Sequence, residues 1–559
     1  MSTLAIDIPF KAASPQASGT SAARQYAQDF LCFGAVAAVL AYMPGEMLFS
    51  DNHAFPAELV LHAFALGALL ACAVFVRRLR VDAVDAALIA FAALGALSAL
   101  GAANPWFAVR SLGLTVSGVG VFLAARALAR EAIGPQLTAF AAVAVVAAAA
   151  AALLEAYGVL GRMSEVNRAP GGTMGSRSQM AHLLAIGLPV LLAQAVRARR
   201  RLDFALYAGA VAVVAAALVL SRSRSAWLAA LLAVVLGVAA YTLSARRAPG
   251  GLGVPPRAVL LPVAFAAGVA GAVLLPNQLE WRSQTPYADS VRGLANFEVG
   301  SGRGRIIQYG NTLRMVGDHA LLGVGPGNWA VAYPRYASAK DPSYEPRYVL
   351  PTTRLPQSEW LGTAAERGLP ALLLLVLAAA VLARRGWRRL RDPDAERALQ
   401  GLVLLCTLTS LLVVGTLDPV LMTPTAAFLA FVLLGALASD SGRTWEVPLN
   451  GRRRALLAAG VVCVAAVPVA FSARQLAAGY LYANVPDVET WQRALRMNPG
   501  DYRAHALFSN QLIRTGRCAD ALPYIARAGE MFPTAPAVAE MRRHCLRIQA
   551  EAARTASMP

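Results

Sequence analysis

The sequence predicts an all-α polytopic membrane protein of about 12–13 transmembrane helices, with one long external loop and a C-terminal helical-repeat domain. Three observations carry this. Hydrophobic residues make up 57 % of the 559 residues and charged residues 15 %, whereas a soluble globular chain carries roughly 25 % charge. The apolar residues gather in runs of about 20, the length at which a helix rising ~1.5 Å per residue crosses ~30 Å of hydrocarbon. Arginines cluster in every second interval between these runs, as the positive-inside rule expects. Together these exclude an ordinary soluble enzyme, a disordered chain and a disulfide-dense secreted domain. The net charge of +19 would suggest nucleic acid in a soluble protein. Here the arginines lie between spans with no basic stripe interleaved with aromatics, so no nucleic-acid partner is expected.

Residues 1–28 are polar and rich in Pro, Ser and Ala, without a cleavable signal pattern, and form a cytoplasmic N-terminal segment. Nine spans are expected in 29–276, near 29–47, 57–76, 84–102, 110–128, 135–157, 178–196, 203–221, 225–244 and 258–276. A long loop, 277–357, has no spanning run and is too long for a connector. Four more spans are expected in 358–472, near 363–383, 398–417, 420–438 and 454–472. Basic clusters stand at Arg77/Arg78/Arg80, Arg126/Arg130, Arg197/Arg199/Arg200/Arg201, Arg246/Arg247, Arg384/Arg385/Arg388/Arg389/Arg391 and Arg452/Arg453/Arg454. Their alternation puts these loops and the N-terminus in the cytoplasm. A loop near 158–177, the long loop and the tail 473–559 then lie outside.

In the tail the apolar runs give way to helical periodicity. ALRMNP (494–499) and AGEMFP (528–533) align at an offset of 34 residues, and each Pro closes a helix. That period resembles tetratricopeptide repeats, which offer a surface to a protein partner; a plain helical bundle is the alternative. Cys32, Cys72, Cys406 and Cys463 fall in apolar runs and read as packing residues. Cys518 would start one helix of the repeat and Cys545 end the next. In an exported tail they form either a disulfide or two unrelated thiols.

Four external segments carry polar chemistry. GGTMGSRSQMAHLLAIGLP (171–189) runs from a Gly-rich turn into a span, with Gln179 and His182 at its outer end. LSRSRSAWLA (220–229) places Arg222 and Arg224 on an outside turn, against the positive-inside bias. In SGRGRIIQYGNTLRMVGDHALLGVGPGNW (301–329), Arg305, Tyr309 and Leu313 recur every four residues, so a helix begins there, and GVGPG breaks it. RLPQSEWLGTAAERGLPALLLL (354–375) leads into the next span with Glu359 and Glu366 on one helix face. Arginines gathered on one face suit a phosphorylated or pyrophosphorylated lipid. A guanidinium binds phosphate oxygens bidentately and keeps its charge. The sequence holds no metal-ligand cluster and calls for no cofactor, so arginine would take the cation's role.

These four segments, in this order, resemble the O-antigen ligase superfamily: lipopolysaccharide O-antigen ligases, Wzy-type polysaccharide polymerases and pilin oligosaccharyltransferases. The resemblance covers roughly residues 30–440. It implies a metal-independent glycosyltransferase of the bacterial inner membrane, with its long loop and C-terminal domain periplasmic. The donor would be an undecaprenyl-pyrophosphate-linked glycan, and the acceptor a lipid A-core sugar, a growing glycan or a protein hydroxyl. Arg224 in SRSAW matches the family's essential arginine, and Arg305 its second, with Tyr309 where Trp is usual; both arginines would hold the pyrophosphate. Gln179 matches a glutamine of the protein-glycosylating branch. Arg222, Arg303 and Arg354 complete the candidate substrate-binding set.

The family commonly carries a His, the presumed base, where this sequence has Gln357 in Gln357-Ser358-Glu359-Trp360-Leu361. Gln cannot take a proton near pH 7, whereas His can. Three readings stay open: activation by another group, with Glu359 nearest; a step needing little base help; or an inactive relative. His319, in GDHALLG, matches another family position and caps or packs the turn. A Wzy-type polymerase, a non-catalytic scaffold and a polysaccharide transporter are the alternatives, the last disfavoured because the two halves show no similarity and the charged groups gather at one face.

Overall fold

The computed structural model describes residues 19–43, 53–76, 78–129, 134–161, 163, 169–245, 254–293, 300–439, 444–484 and 487–556. Most of the N-terminal segment 1–28 and the cluster residues Arg77, Arg130, Arg246 and Arg247 lie outside this set. The chain folds as α1 (Gly19–Leu40), α2 (Ala54–Phe75), α3 (Ala83–Ala99), α4 (Pro105–Leu128), α5 (Gly134–Ala156), α6 (Arg177–Arg197), α7 (Arg201–Ser221), α8 (Arg224–Ala245) and α9 (Leu260–Leu274). The long loop holds α10 (Pro286–Arg292), α11 (Gly300–Asp318) and the single turn α12 (Trp329–Ala332). Then come α13 (Glu359–Arg389), α14 (Ala395–Leu417), α15 (Pro424–Leu437) and α16 (Gly451–Asn484). The tail is α17 (Val488–Met497), α18 (Tyr502–Arg514), α19 (Cys518–Met531) and α20 (Pro536–Ala556).

Among the described residues, 10 helices are long and apolar enough to cross a membrane, and the apolar stretches of α1, α3 and α15 are shorter. These coincide with the runs read from the sequence, and the protein is an all-α, multi-pass membrane protein. Side-chain oxygens start the helices where the chain turns back: Asn104 caps α4, Ser176 caps α6, and Asp82 with Asp85 forms a capping box on α3. Lipid gives helices little reason to associate, so close packing holds the bundle, and small residues allow it. A Cβ at Gly435 would strike the Phe122 backbone 2.5 Å away. The most enclosed span, α6, touches α5, α7, α8, α14 and α15.

The described parts of the basic loops meet at one end of the bundle. Strands β1 (Arg78–Val81) and β2 (Trp445–Pro448) pair antiparallel there, Arg78 opposite Pro448. Arg126, buried, donates to Asp82 and Asp85, and Arg385 reaches Asp82 at 2.5 Å. These charges and hydrogen bonds hold the Asp82 carboxyl below the usual carboxylate range, although burial alone would raise it. Arg197 pairs with Glu396 at the same end. The described residues of the 158–177 loop, the long loop and the tail gather at the other end.

The tail docks on the bundle through a shared core. Trp491, Phe508, Ile525 and Phe532 pack with Val331 of α12, and Trp106 and Phe107 of α4 lean on them. Tyr502 donates to the Val349 carbonyl and Thr534 to that of Val331, both at 2.5 Å. Helix α16 runs on to Asn484, so one helix carries the chain past residue 473, the start expected for the tail. Cys518 and Cys545 are disulfide-bonded, Cα atoms 5.1 Å apart. Cys518 starts α19 as expected, but Cys545 lies mid-way along α20. Cys463, read as a packing residue, is exposed, whereas Cys32 and Cys406 are buried. The bond closes 27 residues of sequence separation. Chain-entropy arguments give such a loop about 3–4 kcal/mol. Reduction is therefore expected to lower the tail's unfolding temperature and expose α20 to protease first. Limited proteolysis with and without reductant checks this, and unchanged cleavage would count against it.

Candidate active site

The site is built where the long loop folds back on the bundle. The GVGPG turn (323–327) takes positive φ at Gly323, Gly325 and Gly327, and Gly368 does so within α13. The two segments interlock. Val324 and Gly325 donate to the Ala365 and Glu366 carbonyls, both at 2.9 Å, and Leu369 donates to Ala320 at 2.8 Å. Ala320–Leu322 crosses so close to the kink that a Cβ at Gly368 would collide with the Leu321 carbonyl. Ser358 caps α13 and fixes where the preceding Gln357 stands.

A cavity of about 1270 Å³ opens beneath this loop. Arg177, Arg222, Arg282 and Arg354 line it together with Gln179 and Gln357. Glu58 and Arg110, an ion pair with Nε–Oε2 2.8 Å, form another part of the wall. Arg222 takes left-handed backbone, φ 53, the one non-glycine residue to do so among those described. Its Nε donates to Ser290 at 2.9 Å and its guanidinium lies 5.1 Å from the Trp281 ring centre. Burial pulls its pKa below the ordinary arginine value, against the pull of Asp289. A left-handed arginine aimed into a cavity is the kind of backbone cost found at functional sites.

Arg224 and Arg305 lie outside this lining. Arg224 donates to the Gly293 carbonyl. Arg305 on α11 donates to Asp418 Oδ1 and to the Leu417 carbonyl, both at 3.1 Å. Asp418 also accepts from Ser225 at 2.8 Å, and His182 Nε2 lies 3.3 Å from its other oxygen and 3.0 Å from Ser225. Burial would raise the Asp418 pKa, but the bond to His182 and the charge of Arg305 outweigh it and hold the carboxyl below its usual range. Tyr309 donates to the Gln357 carbonyl at 3.0 Å and to that of Thr416 at 2.9 Å, so it joins α11 to the start of α13. Burial pushes its hydroxyl up to about 12, and it acts as a donor rather than a base.

Of the residues expected from sequence, Gln179, Arg222, Arg354 and Gln357 share the cavity, whereas Arg224, Arg305 and Tyr309 are not among its lining residues. Arg303 is exposed and does not line it. Glu359 stands elsewhere. It is buried beneath the 419–422 loop, and its Oε2 accepts from the Val420, Leu421 and Met422 backbone at 2.8, 2.9 and 3.4 Å. Those bonds make it the anchor of that loop, and it does not line the cavity. Glu366 does line it: Oε1 accepts from the Trp329 backbone at 3.3 Å, and Oε2 is buried with no hydrogen-bond partner. His319 is exposed, its carbonyl accepting from Gly323 at the turn.

Arg177, Arg282 and Asp418 were not singled out from the sequence. Two had a signal. Arg177 sits in a quoted segment at the outer end of a span, and Asp418 ends an apolar run just before Pro419. Arg282 had none. No curated protein matches the chain. Residues 209–376 match the family model for O-antigen ligase, and that segment contains Arg222, Arg224, Arg305, Gln357 and Glu366. This match covers the long loop and the helices on either side of it, and supports the resemblance to the O-antigen ligase superfamily over that segment.

Proposed function

We propose that this protein transfers an oligo- or polysaccharide from an undecaprenyl-pyrophosphate carrier to a hydroxyl acceptor on a lipid A-core, a growing glycan or a protein. The observation that carries this is that Arg177, Arg222, Arg282 and Arg354 line one cavity. Such a set of guanidinium groups suits a pyrophosphate. In the step, the acceptor oxygen bonds to the anomeric carbon as the bond from that carbon to the pyrophosphate oxygen breaks. The leaving group takes the electron pair, and the guanidinium groups meet its growing charge. The match of residues 209–376 to the O-antigen ligase model supports the reaction type. The basic end of the bundle suits the cytoplasm, and the disulfide at the other end suits an oxidising periplasm. The reading therefore puts the cavity on the periplasmic face of the inner membrane.

The acceptor proton needs a base. The Gln357 amide is too weakly basic to take it near pH 7, and the Glu359 oxygen that anchors the 419–422 loop is committed to three backbone bonds. Glu366 is the carboxylate with an unpartnered oxygen on the cavity, and the reading gives it that role. With purified full-length protein in nanodiscs and its host's lipid-linked glycan, wild type should consume the donor with a rate that falls in acid. Glu366→Gln should lower the rate by about 10²-fold and flatten that acid limb. A Glu366→Gln variant with wild-type rate and pH profile would remove the residue from the chemistry. No donor consumption by wild type would contradict the transferase reading itself.

A further inference from the structure

The pyrophosphate reading leaves part of the cavity lining without a task. That part comes from α16, the α17–α18 turn and the start of α18, where Arg503 also lines the cavity. Gln475, near the end of α16, and Asn498 and Gly500, in the turn between α17 and α18, all line the same cavity as Gln357. The wall is built rather than incidental. Gly500 sits so tightly on Trp106 that a Cβ there would collide with the ring, and Trp106 in turn stacks on Phe471, centroids 6.1 Å apart. Gln475 is 6 % exposed and Asn498 5 %.

Three buried oxygens on this cavity have no hydrogen-bond partner: Glu366 Oε2, given the base's role above, and the amide oxygens Gln475 Oε1 and Gln357 Oε1. An amide oxygen only accepts. A phosphate that has lost its protons offers it nothing, and an alkyl chain would leave it unsatisfied at a cost. A hydroxyl-rich ligand supplies the missing donors, and Trp106 lines the same cavity beside them.

We infer that the tail is part of the substrate site: Gln475, Asn498 and Trp106, with Gln357, form a carbohydrate subsite that holds a glycan by its hydroxyls, apart from the arginines that hold the pyrophosphate. This rests on the transferase reading above and extends it, because it names where the sugar lies. It also gives the C-terminal helices a role within the reaction.

The test uses full-length protein in nanodiscs and two separate probes. One is the host's own oligosaccharide, released from its lipid carrier by mild acid and so lacking pyrophosphate. The other is inorganic pyrophosphate. Calorimetric titration of wild type should show both bind. Gln475→Leu should weaken the oligosaccharide about tenfold and leave pyrophosphate unchanged, which also shows the variant is folded. Asn498→Ala, on a different element, carries the same expectation. Arg222→Ala should do the reverse. If pyrophosphate binds wild type but the oligosaccharide does not, or both tail variants bind it as wild type does, the subsite is wrong and the transferase reading stands. If neither probe binds wild type, the transferase reading fails and the subsite with it.

Discussion

Replacing Arg305 by alanine is expected to slow glycan transfer by about 10²–10³-fold, the loss that follows removal of one aimed donor from a developing anion. The expectation rests on how the side chain is held. Its Nε is fixed on the Leu417 carbonyl and a terminal nitrogen on Asp418, so the guanidinium is placed before any substrate arrives. Its remaining donors are left for a phosphate. Lysine has one compact charge and cannot hold two protein oxygens while presenting a third face. Arg305→Lys should therefore recover only a small part of the rate. Asp418→Asn removes the charge that orients Arg305 but keeps an oxygen in place, and a loss of about tenfold is expected. Single-turnover rates with lipid-linked glycan separate the three. Equal rates for wild type and Arg305→Ala would show that this arginine does not meet the leaving group.

Glu359 is expected to behave in the opposite way, with a large effect on folding and a small one on chemistry. Three backbone N–H groups of the 419–422 loop end on one of its oxygens. Glu359→Ala strands them, and a buried donor without a partner costs about 1–3 kcal/mol. A loss of about 3 kcal/mol or more is expected, visible as a lower melting temperature and a lower yield of folded protein. Glu359→Gln keeps an accepting oxygen in the same place and should retain most of the stability and most of the rate. The two substitutions separate an anchor from a base. A folded but inactive Glu359→Gln would show that the residue moves the proton after all.

The membrane helices were legible because the constraint on them is severe. Only about 20 apolar residues bridge the hydrocarbon, and the arginines between runs respect one side. Even the short helix Pro424–Leu437 stood out for its lack of charge. Within the site, residues on quoted motifs were found when their side chains reach the cavity from the motif itself, as Arg222 and Gln357 do. Glu359 and Glu366 mark the limit of that method. Seven residues apart on one helix, they look equivalent in sequence. What separates them is the 419–422 loop over one and the Trp329 turn beside the other, and both elements are remote in the chain. Asp418 was missed for the same reason, since its partners His182, Ser225 and Arg305 come from three other helices. The tail's part in the cavity wall was beyond sequence reading, because nothing in a helical period states which way the hairpins fold back.

Donor use can be measured most directly in cells. The quantity is the steady-state amount of undecaprenyl-pyrophosphate-linked glycan in a deletion strain complemented with wild type or with Arg224→Ala at matched protein level. The arginine-lined cavity predicts low levels with wild type and marked accumulation with Arg224→Ala, because the donor is made but not discharged. Equal levels in the two strains would contradict it: Arg224 would not serve the donor, and this chain would not consume a pyrophosphate-linked glycan through this site.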